Sequence, residues 1–309
     1  MKSPQWILLT AVLALTACHR TEPQAALPAP HAPATSASAP KVAARFEPPA
    51  ESSMPNDDFG KQIELGRLIF SDTGRYAKAY VGNALTCENC HLDAGRLAHS
   101  APMWGAYPMY PAYRAKNHRV NTFAERLQGC FQYSMNGKAP PLGDDVLVAL
   151  EAYAYWMSKG EPIGVAPPGH GYAKLPKPTQ APDYARGEAV FKRDCALCHS
   201  DNGQGQQVAG RTVFPPLWGA QSFNWGAGME RLDNAAGFIK ANMPLGRGNT
   251  LTDQDAWDVA YFMDAHERPQ DPRFKNSVAE TRKAYHDTPY SLYGVAVNGK
   301  VLGEGSGHL

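Results

Sequence analysis

Six cysteines divide into Cys18, a left-over Cys130, and two pairs that each run straight into histidine: Cys87-Glu88-Asn89-Cys90-His91 and Cys195-Ala196-Leu197-Cys198-His199. In a C-x-x-C-H sequence one turn of chain sets both sulfurs against the two vinyl carbons of a single porphyrin, and the adjacent imidazole points at the iron. Zinc sites lack the immediate histidine, and the export signal described below puts the chain where haem is attached rather than where a cytosolic redox dithiol works. Two covalently bound haems c are therefore expected. Cys87, Cys90, Cys195 and Cys198 are the attachment residues, and His91 and His199 the proximal iron ligands.

The distal ligands follow from position. Asn242-Met243-Pro244 lies 44 residues after His199, just ahead of the last helical pattern of that half. A thioether there is a soft ligand that favours ferrous iron and raises the potential. Met243 is the expected ligand, with Met229 the weaker candidate and ordinary core filling the alternative fate of either. The same ruler laid on the first half finds cysteine: Met243 is 25 residues after Trp218, and Cys130 is 26 after Trp104. An unpaired thiol in an oxidising compartment is a liability unless it is buried or used. Cys130 is thus the candidate distal ligand of the first iron, with Met135 and Met109 competing. A thiolate lowers the iron's potential, which suits chemistry on the ligand sulfur better than simple relay. Around it the chain is basic: Arg114, Lys116, His118, Arg119 and Arg126 precede Cys130, Lys138 follows, and Glu125 is the lone acid of that stretch. Such a cluster favours an anionic substrate. Arg114, Lys116 and Arg119 are the residues expected to bind it, although each taken singly could be a solvated face or a propionate contact.

These groups need helices to hold them. Phe59 to Phe70 and Tyr184 to Phe191 read as helices with glycine four residues before phenylalanine, at Gly66/Phe70 and Gly187/Phe191, and they resemble the first helix of class I cytochromes c. The matching last helices are 144–157 and 253–264, with Tyr155, Trp156, Trp257, Tyr261 and Phe262 expected to face core and haem. Pro102-Met103-Trp104-Gly105-Ala106 answers Pro216-Leu217-Trp218-Gly219-Ala220, so the halves are a diverged repeat. Sixteen residues separate Phe70 from Cys87 but only three separate Phe191 from Cys195, an insertion in the first half. The expected architecture is all-α: two class I cytochrome c domains in tandem, 56–165 and 166–266, each with one haem. A Pro-rich tail, 267–309, wraps over them and ends in a small hairpin turning at Asn298-Gly299.

The chain has 309 residues, enough for two domains, and 28 Gly with 26 Pro imply much loop. Before Cys18 the only charge is Lys2, followed by an apolar run too short to span a bilayer, so residues 1–17 read as a leader. Leu15-Thr16-Ala17-Cys18 matches a bacterial lipobox, which predicts a lipid-anchored periplasmic protein, and His19 after the lipidated position favours the outer membrane. Residues 18–55, rich in Ala and Pro, read as a disordered tether that can reach on the order of 100 Å. The remaining chain is balanced in charge, with 30 basic and 29 acidic residues overall, which argues against a nucleic-acid partner.

Taken with the run from Glu125-Arg126-Leu127-Gln128-Gly129-Cys130 to Gly137, the Asn242-Met243-Pro244 loop and the tail from His286-Asp287 to Ser291-Leu292-Tyr293-Gly294, the pattern resembles the thiosulfate dehydrogenase family over about residues 57 to 294. The resemblance implies a periplasmic dihaem enzyme that couples two thiosulfates into tetrathionate, in some members reversibly. It implies haem 1 on Cys87, Cys90 and His91 with Cys130 as distal ligand and active site, and haem 2 on Cys195, Cys198 and His199 with Met243, passing electrons to a soluble or membrane-bound redox partner such as another cytochrome c. Some relatives place Lys just before the methionine and exchange ligands; Asn242 stands there in this chain. The competing expectations are a non-catalytic dihaem relay and a His/Cys haem enzyme for another sulfur compound.

Overall fold

The computed structural model describes residues 46–305 apart from Gly210. The leader 1–17, the lipid site Cys18 and the tether as far as residue 45 lie outside the described residues. Two crossed helix pairs carry the fold. In the first half α1 (Asp58–Ser71) packs on α6 (Asp145–Met157); in the second α7 (Tyr184–Asp194) packs on α10 (Asp253–Asp264). Each helix starts where a side-chain oxygen accepts an otherwise unpaired N–H: Asp57 from Gly60, Asp144 from Val146, Asp183 from Arg186, and Thr252 from Asp255. Both crossings close at glycine. A Cβ on Gly66 would lie 2.1 Å from the Ala149 carbonyl oxygen, and one on Gly187 2.1 Å from that of Asp258, so no larger residue lets the backbones approach this closely.

Between the paired helices run single helical turns α2 (Thr73–Tyr76), α3 (Leu92–Gly95), α4 (Met103–Ala106) and α8 (Ala196–His199), the short α5 (Phe123–Gly129) and α9 (Leu232–Asn242). Both of the repeated tryptophans are buried in the core. Trp104 is fully buried and donates Nε1–H to Arg96 O, while Trp218 stacks on His266 at 4.1 Å. Trp156, Trp257 and Phe262 are buried as expected. Tyr155 is not: it is 53 % exposed, with its ring edge-on to Phe59 at the start of α1 and to Tyr107, on the outer rim of the helix pair rather than inside it.

Three antiparallel hairpins depart from a purely helical plan: β1 (Ala112–Arg114) with β2 (Arg119–Asn121), β3 (Gln206–Val208) with β4 (Arg211–Phe214), and β5 (Ala296–Val297) with β6 (Lys300–Val301). The last turns at Asn298-Gly299, both at positive φ, as a two-residue hairpin requires. The packed body also begins ahead of residue 56. Phe46 lies 5.3 Å from the Trp104 ring, and the Arg96 guanidinium donates to Pro48 O and Pro49 O, so residues 46–55 belong to the body rather than to the tether. Prolines cannot donate, but their carbonyls remain good acceptors for an arginine.

The two halves are stitched by side-chain amides. Asn83 donates to Ser222 O, Asn224 to Gln132 O, and Asn242 to His99 O. The tail wraps over this seam and contains α11 (Val278–Tyr285). Its anchors are buried and polar: His286 Nε2 lies 2.9 Å from Asp271 Oδ2, and Ser291 Oγ donates to Glu230 Oε2 at 2.7 Å. Burial opposes charge on Asp271, but the bonds from His286 and Arg273 outweigh it and hold the carboxyl below the usual carboxylate range. Among the described residues no helix is long and apolar enough to cross a membrane.

Candidate haem sites and active site

Each C-x-x-C-H motif forms a tight turn. In the first, Thr86 and Asn89 cap one another across the Cys87–Asn89 turn, and Cys87 N–H donates to Thr73 Oγ1. In both motifs the histidine is oriented by a backbone carbonyl: His91 Nδ1 is 2.7 Å from Ala101 O, and His199 Nδ1 is 3.0 Å from Pro215 O. A carbonyl only accepts, so Nδ1 carries the proton and Nε2 is left with its lone pair. Burial pushes the His91 imidazolium down to about 4 and lowers that of His199 as well, which favours the neutral ring with a free Nε2 lone pair. These residues fit a covalently bound haem c.

The second-half site opens into a cavity of about 490 Å³ lined by Cys195, Cys198, His199, Phe191, Leu217 and Met243. Met229 lines it too, so both candidate thioethers share one space with His199. Thr86, Cys90 and Leu92 of the first motif also border this cavity, which brings the two attachment motifs into one neighbourhood. Asn242, just before Met243, gives its amide to Phe238 O and His99 O.

Cys130 follows α5 directly and opens a π-helical turn, Cys130–Ser134, a widened geometry that recurs at functional sites. Thr122 and Glu125 form the capping box that starts α5 and so aims the turn. Arg126, one helical turn before Cys130, directs Nη1 at its sulfur at 3.3 Å. The negative charge available at Cys130 is the largest influence on Arg126, holding its guanidinium above its ordinary value. Cys130 is also close enough to oppose ionisation of Cys87 and Cys90, whose thiols burial has already pushed up to about 12. The lone cysteine therefore faces the first attachment motif. Of its competitors, Met135 is buried in the core and Met109 sits in the Tyr107–Met109 turn.

The basic residues separate. Arg119 is paired with Glu125 at 2.6 Å at the start of α5, and Arg114 stands opposite Arg119 in the β1–β2 hairpin, within electrostatic range of Tyr110. Lys116, at the tip of that hairpin, donates from its ammonium to Gly226 O of the second half, and the ammonium lies 4.0 Å from the centre of the first-half Tyr133 ring. The residue as a whole is exposed, while its ammonium is engaged by Gly226 O and the Tyr133 ring. Desolvation first, then Arg273 and Arg126, bring that ammonium down to about 7. His118 and Lys138 are exposed. Arg126, counted in the basic run but ranked below three others, is the one on the sulfur; its spacing of four from Cys130 on a helix was the signal for it. Arg273 gave no local signal, because only the wrapped tail brings it to the Tyr133 ring, 5.1 Å from its centre.

Two tandem haem-binding helical halves, one offering a cysteine sulfur to its own attachment motif, define a c-type cytochrome built for more than relay. Residues 74–163 match the family described as SoxA/TsdA, cytochrome c domain, and 182–263 that described as cytochrome C oxidase, cbb3-type, subunit III. The chain belongs to the thiosulfate dehydrogenase family. It is 64 % identical over 261 residues to the thiosulfate dehydrogenase of Thiomonas intermedia (strain K12), covering 84 % of this chain and 83 % of that one. It is 54 % identical over 262 residues to that of Stutzerimonas stutzeri (strain A1501), covering 84 % and 85 %. The solved structure of thiosulfate dehydrogenase (TsdBA) from Marichromatium purpuratum, in its as-isolated form, matches with a TM-score of 0.82 at 48 % identity over 86 % of this chain; the present chain spans 59 % of that longer one.

Proposed function

We propose that this protein joins two thiosulfate dianions into tetrathionate at the Cys130 sulfur. The observation that carries the reading is the placement of Cys130: outside both attachment pairs, at the head of a π turn, with Arg126 on its sulfur and the first C-x-x-C-H motif opposite it. Two thiosulfates lose one electron each, their sulfane sulfurs form one new S–S bond, and no proton is exchanged. Bound haem c supplies one-electron acceptance, and two such groups match the two electrons of one turnover. His91 and Cys130 are assigned to the first iron, His199 and Met243 to the second. The chain's own work is electrostatic and geometric: Arg126 donates to the cysteine sulfur, and fixed cations let two dianions approach each other. The printed names of the relatives support thiosulfate as substrate. The Lys2 leader and the lipobox at Cys18 support a periplasmic, lipid-anchored site of action with electrons passed to an external redox protein.

Purified holoprotein supplied with thiosulfate and a one-electron acceptor is expected to form one tetrathionate for every two acceptors reduced. Acceptor reduction with sulfate or sulfite as the product would overturn the reading. Met243→Gly is expected to lower the potential of one haem by on the order of 0.1 V, because losing a thioether removes the preference for ferrous iron. A redox titration that moves with Met229→Gly and not with Met243→Gly assigns the ligand to Met229.

A further inference from the structure

Coupling two dianions sets a requirement that one cation cannot meet. Each anion needs its own positive partner, and the two must sit within bonding reach of each other's sulfur. Arg126 serves the Cys130 end at 3.3 Å. The next cations gather on Tyr133, three residues further along the same π turn: the Lys116 ammonium at 4.0 Å and the Arg273 guanidinium at 5.1 Å from its ring centre. They come from the first hairpin and from the C-terminal tail, so the fold has brought them together across the chain. We propose that Arg273 and Lys116 form a second anion subsite beside the Cys130 sulfur, the one that holds the second thiosulfate; this rests on the coupling reaction proposed above.

The donor chemistry supports it. Arg273 gives Nε and Nη2 to Asp271 at 3.0 and 2.6 Å, which fixes that edge of the fork and leaves the Nη1 side for another acceptor. Its guanidinium is also stacked on Tyr285 at 4.2 Å, so the cation is held flat and in place before any ligand arrives. An ammonium has three donors, and Gly226 O takes one from Lys116. The carboxylates nearest the cluster are engaged behind it: Asp271 by Arg273 and the buried His286, Glu230 by the buried Ser291. Burial first, and then the neighbouring Arg273 and Arg126, lower the Lys116 ammonium, and a bound anion relieves the part due to the two cations. A purely structural Arg273 would need Asp271 and Tyr285 but would gain nothing from Lys116 at its side.

Arg273→Gln and Lys116→Gln in the holoenzyme are each expected to raise the half-saturating thiosulfate concentration about tenfold or more, since each removes a charged hydrogen bond to the ligand. kcat should stay within about threefold and the haem spectrum should not change, with Arg273→Lys restoring part of the affinity. Calorimetric titration of thiosulfate into the reduced holoenzyme, which cannot oxidise it, counts sites directly: two anions per chain in the parent, with one of the two sites weakened about tenfold or more in either Gln variant. Half-saturation within twofold of the parent in both variants, or a loss confined to kcat with an altered spectrum, overturns the subsite. Should Arg273→Gln fail to fold, Lys116→Gln on the exposed hairpin decides alone. A parent that binds two anions yet makes no tetrathionate sinks the coupling reaction and keeps the subsite; a parent that binds one sinks the subsite.

Discussion

Cys130→Ser is expected to reduce thiosulfate-dependent electron transfer by at least about 10³-fold while both haems stay attached and the helical body melts within a few degrees of the parent. Attachment uses only Cys87, Cys90, Cys195 and Cys198, none of which the substitution touches. The fold loses little, because the side chain is half-buried and serine is nearly isosteric. What disappears is the sulfur to which Arg126 donates, facing the first attachment motif. A serine hydroxyl can still accept from Arg126 but offers no soft sulfur donor. Turnover measured with a fixed acceptor, alongside a pyridine haemochrome assay for haem content, separates the outcomes. Activity within a few-fold of the parent in a fully haem-loaded Cys130→Ser protein would reduce Cys130 to a packed thiol and leave an electron relay as the surviving account.

The parts of this site that the sequence made readable are those whose chemistry is local. Two C-x-x-C-H turns carry their own spacing requirement. Gly66 and Gly187 mark helix crossings because a Cβ at either would strike a backbone carbonyl, and the observed helices keep to the expected bounds within a few residues. Position also led to Cys130, since the repeat transfers a distance from one half to the other. Charge assignments were less legible because they depend on partners. Arg119 read as a substrate residue, but the structure pairs it from β2 with Glu125, the capping-box residue in the first turn of α5. Arg273 belongs to the site only because Asp271, His286 and Glu230 build a buried polar anchor from three separate stretches of chain, and no periodicity encodes that. Tyr155 shows the reverse error: an aromatic at helical spacing reads as core, yet one step of rotation around α6 leaves it at the surface.

Arg268 and Asp264 give the largest expected effects on stability, and the two are not equivalent. Both side chains are fully buried, with Nη2 3.0 Å from Oδ1, and the guanidinium lies over Phe223 at 4.2 Å and Trp225 at 5.1 Å while donating to Leu217 O and Met263 O. Removing one member of such a pair leaves the other as an uncompensated charge, at about 3 to 5 kcal/mol. Asp264 has an escape. Burial already drives its carboxyl upward against the pull of Arg268, so in Arg268→Met it takes up a proton and becomes neutral. Arginine cannot shed its charge at any accessible pH. Asp264→Leu should therefore fall at the upper end of that range and Arg268→Met at the lower, which for a body of this size corresponds to about 10 °C of melting temperature. The double variant should recover most of the loss, because two apolar side chains replace a pair whose desolvation had to be offset. Arg268 also begins the tail, beside Glu267 O and Pro269 O, which accept from Gly219 and Trp225. Thermal melts of the holoproteins decide the order; if Arg268→Met is the more damaging single change, the cation's packing on Phe223 and Trp225 outweighs the stranded charge. A recovered double variant should bind thiosulfate as the parent does, since the tail that carries Arg273 is again held in place.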